Sequence, residues 1–330
     1  MRILIIGGSV FVGRAITEEA LRRGHEVTTF NRGRSGVDLP GAEAIRGDRE
    51  VAEDLDRLVE GHTWDAVVDV IGRVPRLVDA SVRRLNGRAS TYTYISSISA
   101  ISDFPAQACD ESSPRYECAP DAGPEDGDYG TLKAGCERAV EEGFEGDALI
   151  IQPGLILGPH EDVGRLPWWL DRISRGGRVL APGDPDRQMQ VIDVRDLAAF
   201  TLDRTEAGAA DRFLAGGVPA NTTYGGLLAE CRAVTGSDAE FVWVDDRFLL
   251  DREVAPWTEF PVWVPAGPDF AGVWLASSAK ALAAGLTCRP VAETVRDTWA
   301  WLREVPPAER SFRGHGMNPE KEARILAEWA

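Results

Sequence analysis

Residues 2–13 read Arg-Ile-Leu-Ile-Ile-Gly-Gly-Ser-Val-Phe-Val-Gly, and this stretch decides the fold. Its first half is a short, mostly aliphatic run, which predicts a buried strand. Gly7, Gly8 and Gly13 then predict a tight turn into a helix over residues 12–23, which Gly24 ends. A strand, a glycine turn and a helix N-terminus form an anion site, because free backbone N–H groups meet a pyrophosphate there. A plain strand-to-helix turn is the alternative interpretation.

The N-terminal half repeats this alternation of apolar runs and helix-like stretches. Further strands are predicted over 26–30, 42–46, 66–70, 91–96 and 148–152, and helices over 54–60, 75–85 and 129–142. Strands that alternate with helices indicate βαβ units around a parallel sheet. The predicted fold class is therefore α/β, a doubly wound parallel sheet with a smaller C-terminal region. A loop at about 104–128, rich in Asp, Glu, Pro and Gly, is long enough to be a candidate functional loop.

Composition and charge disfavour several classes of protein. The formal charge of −17 at pH 7 is spread along the chain and argues against nucleic acid or anionic membrane as a partner, since both need basic surface. The first apolar run is too short for a signal peptide or a membrane span, and no later apolar run is long enough to cross a bilayer.

The five cysteines form no Cys-x-x-Cys pair and no metal-like spacing with the four histidines. This pattern predicts free thiols, no metal site and a cytoplasmic location.

If the glycine turn binds the pyrophosphate of a dinucleotide, the end of the second predicted strand indicates whether that dinucleotide is NAD or NADP. An acidic residue there would hydrogen-bond the ribose 2′-hydroxyl, whereas an arginine accommodates a 2′-phosphate. The sequence has Asn31, Arg32, Gly33 and Arg34 at this position and no carboxylate. We therefore expect NADP(H) to be favoured over NAD(H). Two solvated surface arginines are the alternative interpretation.

A tyrosine and a lysine, Tyr129 and Lys133, stand four positions apart on a predicted helix and so project from the same face. The pair is unusual in a chain with three lysines and five tyrosines. A neighbouring ammonium favours the phenolate, which makes a tyrosine a usable acid or base near neutral pH. Ser96, Ser97 and Ser99 stand at the end of the strand predicted at 91–96, over the crevice where ligands bind in open α/β sheets. A serine hydroxyl there can donate to a carbonyl oxygen as it develops negative charge.

Several motifs follow one another in a recognisable order. They are the glycine turn, the Ser-Ser strand end, Asp110-Glu-Ser-Ser-Pro114, Tyr129-x-x-x-Lys133, Pro153-Gly-Leu-Ile-Leu-Gly-Pro159 and Val191-Ile-Asp-Val-Arg-Asp-Leu-Ala198. In this order the motifs resemble the extended short-chain dehydrogenase/reductase family, the NAD(P)-dependent epimerase/dehydratase group. The resemblance covers about residues 1–215 and is loose beyond them.

This resemblance implies an enzyme with a Rossmann domain that binds the dinucleotide. Ser97 would polarise the substrate oxygen, Tyr129 would act as acid or base, and Lys133 would hold the nicotinamide ribose and tune the tyrosine. Ser97 is chosen over its neighbours because the family's catalytic hydroxyl is the second residue of the Ser-Ser pair. Asp48 matches the family's adenine-contacting aspartate. The full set of expected cofactor contacts is Gly7, Gly8, Ser9, Val10, Phe11, Val12, Gly13, Asn31, Arg32, Arg34, Asp48, Arg49, Ile71, Tyr129, Lys133 and Pro153.

Four departures from the family pattern narrow the expected chemistry. Val10 replaces the middle glycine of Gly-x-x-Gly-x-x-Gly, as a larger residue does in a related subgroup of chloroplast RNA-binding proteins. Ile98-Ser99 stands where sugar 4,6-dehydratases carry Asp-Glu, which argues against dehydration. Gln152 stands where many family members have arginine, and Ile101-Ser102 replaces the usual Tyr-Gly.

The region after residue 158 differs in composition and is expected to shape the substrate pocket. Nine of the ten tryptophans lie beyond residue 160. The dinucleotide-binding domain is assigned to 1–158 with a return segment at about 188–215, and the substrate-binding region to 159–187 and 216–330. Candidate substrate contacts are Ser99, His160 and Trp168, although loop histidines and core tryptophans are common structural features. Residues 318–330 are predicted to form a docked amphipathic helix.

The residues fit an NAD(P)-dependent oxidoreductase that interconverts a secondary alcohol and a ketone on a small polar, sugar-like substrate. An epimerase that uses transient oxidation with retained cofactor is the first alternative. The second is a non-catalytic Rossmann protein that binds a dinucleotide or RNA, which the charge and the intact Ser-Tyr-Lys set oppose. The identity of the substrate stays open. Family relatives often dimerise through a four-helix contact that would include the Tyr129 helix, so a homodimer is also expected.

Overall fold

The computed structural model describes residues 1–329. Its strands are β1 (Arg2–Ile6), β2 (Glu26–Asn31), β3 (Glu43–Arg46), β4 (Ala66–Asp69), β5 (Thr91–Ile95), β6 (Asp147–Pro153), β7 (Leu155–Leu157), β8 (Arg178–Pro182), β9 (Gln188–Met189), β10 (Val191–Asp193), β11 (Arg212–Ala215), β12 (Thr222–Thr223) and β13 (Glu240–Val244). Its helices are α1 (Phe11–Arg22), α2 (Ala52–Val59), α3 (Pro75–Leu85), α4 (Tyr129–Gly143), α5 (Arg165–Ser174), α6 (Val194–Glu206), α7 (Tyr224–Thr235), α8 (Asp246–Leu250), α9 (Ala279–Ala283), α10 (Val291–Glu304) and α11 (Pro319–Trp329).

A seven-stranded sheet forms the centre of the molecule, in the order β11-β6-β5-β4-β1-β2-β3. Every neighbouring pair in it is parallel. The strand order reverses between β1 and β4, which is where ligands bind in doubly wound folds. The predicted α/β, Rossmann-type sheet is therefore confirmed. The sequence prediction missed β11, because a run of four residues is too short to show a period.

Strand β1 shows why this sheet is covered on both faces. Ile3 and Ile5 join an apolar cluster with residues of α1 and α6, whereas Leu4 and Ile6 join a second cluster with residues of α2, α3 and α4. Successive side chains of a strand point to opposite faces, so a continuous aliphatic run serves two cores. Each such buried side chain contributes roughly 1.5–3 kcal/mol.

A third apolar cluster lies outside the sheet and contains most of the tryptophans. Its residues come from 155–191 and 224–326, with Trp169 and Trp263 among the largest fully buried side chains. Short strand pairs, β7 with β10 and β8 with β13, frame this cluster. Helix α9 lies in the part of the chain assigned to substrate binding, and its Ala281 packs into the sheet-side core. Lys280 also binds Asp211, one residue before β11.

Helix α11 docks against this second region. Ile325 and Leu326 are buried in its cluster, and Glu322 accepts from the Arg172 guanidinium at 2.8 Å. The predicted helix over 318–330 is thus observed up to Trp329, while Ala330 lies outside the described residues. In the described part of the chain, no helix combines the length and the apolar character needed to cross a membrane.

Candidate active site

A cavity of about 710 Å³ opens at the carboxyl ends of the central strands. Its walls include residues that follow β1, β4, β5 and β6, so it occupies the crevice that the strand order predicts. Among the sequence candidates, the cavity brings together Phe11, Val12, Ser97, Ser99, Tyr129, Lys133 and Pro153.

The glycine turn after β1 is tightly packed and leaves a helix end open. A Cβ on Gly13 would lie 2.0 Å from the carbonyl oxygen of Gly7, and Gly7 itself has a φ of +96°. Both positions therefore require glycine. Helix α1 has no side-chain cap at Val10, which leaves its first N–H groups for an anion. The Ser9 hydroxyl does not cap helix α1, since it donates to the carbonyl of Ser35.

Val10 lies against the loop after β2. A Cβ on Gly36 would lie 3.0 Å from Cγ2 of Val10, so the absence of a side chain at Gly36 makes room for this valine. Val10 also lines a second cavity of about 470 Å³. The side chain that replaces the family's middle glycine is thus accommodated on the outer side of the turn.

The end of β2 presents several arginines. Arg32 is about half exposed and has Asp48 at 3.6 Å. Arg34 is exposed, two residues further along the same loop. Arg46, at the end of β3, donates to the side-chain oxygen of Asn31 at 2.5 Å and pairs with Asp38. The sequence prediction missed Arg46, although parallel pairing of β2 with β3 places it opposite Asn31.

Two other expected cofactor contacts differ in their surroundings. Ile71 is exposed and covers the glycine turn, because a Cβ on Gly7 would lie 2.3 Å from its Cγ2. Arg49 is buried, and its guanidinium binds Asp69 through two bonds of 3.0 and 2.8 Å and also Ser81. The charge of Arg49 is therefore committed inside the protein and does not face a ligand.

Lys133 is almost fully buried on α4, and three acceptors hold its ammonium. Nζ donates to the carbonyl of Gly72 at 3.0 Å, to the hydroxyl of Tyr94 at 2.8 Å and to the carbonyl of Ile95 at 2.8 Å. An ammonium has three N–H donors, so all are in use. Lys133 can contact a ribose only by exchanging one of these bonds. Sequence reasoning missed Tyr94, although it shares a strand face with Ser96.

Tyr129 and Ser97 both line the cavity. Tyr129 is the first residue of α4 and is 50% exposed. Ser97 precedes a short 3₁₀ turn, and its oxygen accepts from the Ser99 N–H at 3.1 Å. Since the oxygen accepts there, the Ser97 proton is available to a ligand. The neighbouring Ser96 hydroxyl is instead bound to the carboxylate of Glu137.

Glu137 anchors a buried polar network that the sequence prediction missed. Its side chain is completely buried on α4, four residues after Lys133. It accepts from Gln152 at 2.7 Å and from Arg115 at 2.8 Å, in addition to Ser96. Arg115, from the 104–128 loop, thus supplies the positive charge beside the buried Glu137 carboxylate.

Two of the substrate candidates lie outside the main cavity. His160 lines the second cavity and packs on Trp301, with ring centroids 5.2 Å apart. Burial and the charge of Arg14 lower the pKa of His160 to about 4, so its imidazole is neutral near pH 7. Trp168 is buried in the second region, where it packs edge-on against Trp169.

The chain matches the NAD dependent epimerase/dehydratase family over residues 3–212. It is 25% identical over 252 residues to the chloroplast stem-loop binding protein of 41 kDa b from Arabidopsis thaliana, and the match covers 71% of this chain and 63% of that relative. The chain thus spans less than two thirds of the length of this relative.

Solved structures share the fold. A UDP-glucose 4-epimerase from Thermotoga maritima, crystallised with UDP-glucose, has a TM-score of 0.68 and 18% identity, covering 92% of this chain and 99% of that one. The Bordetella bronchiseptica enzyme WbmH, in complex with NAD+, has a TM-score of 0.70 and 17% identity, covering 92% and 98%.

The family match extends over more than half of the sequence and includes the glycine turn and the Tyr129 helix. The chain therefore belongs to the NAD-dependent epimerase/dehydratase family of short-chain dehydrogenase/reductase enzymes.

Proposed function

We propose that this protein is an NADP(H)-dependent oxidoreductase that interconverts a secondary alcohol and a ketone. The observation that carries the proposal is the shared cavity of Ser97, Tyr129 and Lys133, which also contains Phe11 and Val12 of the glycine turn. A bound nicotinamide would supply or accept the hydride. The side chains of this cavity would position the oxygen of the substrate and move its proton.

The free O–H of Ser97 supports its role as the donor to the substrate oxygen. A donor aimed at an oxygen stabilises the negative charge that develops there. Ser96 cannot take this role without leaving the buried Glu137 short of a hydrogen bond. Tyr129 would give its proton to the oxygen in reduction and remove it in oxidation.

Lys133 would act from the floor of the same cavity. Gly72, Tyr94 and Ile95 hold its ammonium through hydrogen bonds. Loss of all three bonds would leave a buried charge without partners. Exchange of one of these three bonds would let it hold the cofactor ribose.

The glycine turn and the β2 end fit a dinucleotide. Gly7 and Gly13 leave no space for side chains, the N-terminus of α1 is uncapped, and exposed Ile71 offers an apolar surface beside them. Arg32 and Arg34 would bind a 2′-phosphate, which supports NADP(H) over NAD(H). We assign cofactor binding to residues 1–158 with 188–215, and substrate binding to 159–187 and 216–330.

An epimerase is the second candidate, favoured by the family match. Dehydration is disfavoured, because the described cavity lining contains no Asp or Glu that could act as an acid-base pair. An RNA-binding role, suggested by the name of the Arabidopsis relative, is opposed by the net charge of −17.

A cofactor balance separates these functions. Purified protein would be mixed with NADPH and a panel of ketones, and the NADPH consumed would be compared with the alcohol formed. We expect one NADPH per alcohol. Turnover of an alcohol into its epimer with a retained cofactor and no net NADPH use would support the epimerase instead. No turnover with any ketone or alcohol, together with binding of an RNA stem-loop, would support the non-catalytic role.

A further inference from the structure

One wall of the cavity is apolar. Most residues of this wall come from 256–274, and two come from the 104–128 loop. They are Pro256, Trp257, Val264, Phe270, Val273 and Trp274, with Phe104 and Pro105. The rings of Trp257 and Trp274 lie 6.3 Å apart at an angle of 32°. They form an aromatic surface of the kind that binds flat apolar groups.

The loop that carries Trp257 is held in an unfavourable backbone conformation. Trp257 and Val262 have φ values of +65° and +63°, which non-glycine residues rarely adopt and β-branched ones least of all. Such strain persists only where the surroundings enforce it, and it is most common at ligand sites.

Three side-chain anchors fix this loop. The indole of Trp169 donates to the carbonyl of Pro261 at 2.8 Å, and the indole of Trp263 donates to Asp246 at 2.9 Å. Lys321 of α11 pairs with Glu259 at 2.7 Å. The Trp257 wall is therefore preorganised, so little ordering would be needed when a ligand binds.

The cations of the cavity are poorly placed for a phosphate-bearing substrate. In the described lining they are Lys133, Arg165 and Arg73. Lys133 has all three donors in use, and Arg165 is paired with the fully buried carboxylate of Glu161 at 2.8 Å. Arg73 follows β4 two residues after Ile71, which covers the glycine turn, and we infer that it serves the cofactor.

The polar side chains near the wall are uncharged. Gln190 donates from its amide nitrogen to the carbonyls of Gly217 and Ala276, both at 2.9 Å, so its amide oxygen is the atom left for a ligand. The indole Nε1 of Trp274 is buried and finds no acceptor within residues 1–329. Neither side chain carries a charge that would bind a phosphate.

We propose that the substrate is an uncharged ketone or secondary alcohol whose apolar ring lies against Trp257 and Trp274, rather than a small polar sugar or a nucleotide sugar. This assignment rests on the proposed function, because it places the reacting oxygen at Ser97 and Tyr129. The apolar body then extends toward the loop that carries Trp257. It revises the expectation of a polar, sugar-like substrate drawn from the sequence.

Calorimetric titration of the NADP⁺-loaded protein tests the assignment without requiring turnover. The probes are 2-tetralone, an uncharged bicyclic ketone, and UDP-glucose. We expect 2-tetralone to bind at least tenfold more tightly than UDP-glucose. Trp257→Ala should weaken 2-tetralone about tenfold or more, as truncation of a buried aromatic contact does. Trp257→Phe should restore most of the affinity.

Trp329→Ala is the matched control, because Trp329 is partly exposed on α11 and lies outside the cavity. Thermal melts of each variant with and without NADP⁺ show whether it is folded, and Trp274→Leu provides a second test if Trp257→Ala does not fold. Tighter binding of UDP-glucose, no binding of 2-tetralone, or no effect of either wall variant would overturn the assignment.

The reaction is measured separately. If 2-tetralone binds, depends on Trp257 and yet consumes no NADPH while other ketones also fail, the proposed oxidoreductase function is wrong and the apolar subsite stands. If ketones are reduced but wall variants leave the affinity for 2-tetralone unchanged, the subsite assignment is wrong and the function stands.

Discussion

In the proposed function, Arg32 and Arg34 determine the choice of cofactor. A charge-assisted bond to a phosphate contributes about 1.5–3 kcal/mol, so Arg32→Ala should weaken NADPH roughly 10- to 100-fold. Affinity for NADH should change little, since NADH lacks the 2′-phosphate. Fluorescence titration of both nucleotides measures this difference. Arg247→Ala, at an exposed arginine of the second region, is the control, and equal weakening of NADH and NADPH by Arg32→Ala would contradict the NADP assignment.

His160 should make stability depend on pH in the acid range. Its folded-state pKa of about 4 lies below the ordinary value of 6.5, so the unfolded chain takes up a proton first. The stability that the neutral imidazole contributes is present above about pH 6.5 and is lost as pH falls toward 4.

Urea unfolding of wild type and of His160→Asn at pH 7 and pH 5 measures this effect. The carboxylates are the same in both proteins, so the difference between the proteins reports on His160. Asparagine suits the left-handed backbone at this position, where φ is +64°. The wild type should lose more free energy of unfolding than the variant between the two pH values. Equal losses would show that His160 titrates normally.

At the residue scale, the sequence predicts candidate side chains that the structure places in one cavity, but it does not predict their partners. Tyr129, Lys133 and Ser97 follow from spacing and from motifs. The contacts of Lys133 with Gly72 and Tyr94 join residues 61 and 39 positions apart, and no local pattern encodes such pairs. Arg49 illustrates the same limit, because its buried pairing with Asp69 depends on the assembled sheet.

Helix α4 carries two candidate site residues and, one turn later, a buried carboxylate that binds the end of β5. Tyr129, Lys133 and Glu137 follow one another at intervals of four residues and so share a face. The first two line the cavity, and the third binds Ser96, Gln152 and Arg115. The helix thereby fixes the end of β5, from which Ser97 extends.

Arg115→Ala should destabilise the protein by about 3–5 kcal/mol, because it leaves the carboxylate of Glu137 buried without its charge partner. Urea unfolding at pH 7 measures the free energy. Arg83→Ala removes an exposed pair with Asp79 on α3 and should cost at most about 1 kcal/mol. A loss for Arg115→Ala no larger than that of this control would show that the network is not a structural anchor.

Gly13→Ala tests the turn between β1 and α1. The added Cβ would meet the backbone of Gly7, so we expect this variant to lose dinucleotide binding and to melt at a lower temperature. Gly267→Ala is the control, since a Cβ there meets no atom within 4 Å. Unchanged NADPH binding by a folded Gly13→Ala protein would show that the turn does not need this glycine.

Elements of the N-terminal half were predictable because short apolar runs alternate with helix-like stretches, and glycine or proline marks many of their boundaries. Strand β1 and helix α3 match their predicted bounds. Strand β11 was not predicted, and neither was the packing of α9 on the sheet. Both elements are short, and only contacts with distant parts of the chain stabilise them.

Across the whole molecule, the N-terminal sheet and its helix α4 carry the candidate catalytic groups, and the second region carries most of the apolar wall. The sequence indicates this division through the concentration of tryptophans after residue 160. It does not separate core tryptophans such as Trp169 from wall tryptophans such as Trp257, since both occur in similar apolar surroundings. Only the folded chain shows that one is fully buried and the other lines the cavity.

The proposed function assigns to Tyr129 the transfer of the proton during reduction of a ketone by NADPH. The measurement that tests it most directly is the steady-state rate of NADPH oxidation by wild type and Tyr129→Phe, with the ketone that wild type reduces fastest. Titration of NADPH into both proteins accompanies it. We predict a fall in kcat of about 10²–10⁴-fold with unchanged NADPH affinity, because only the proton donor is removed. A Tyr129→Phe protein that binds NADPH and turns over at the wild-type rate would contradict the claim.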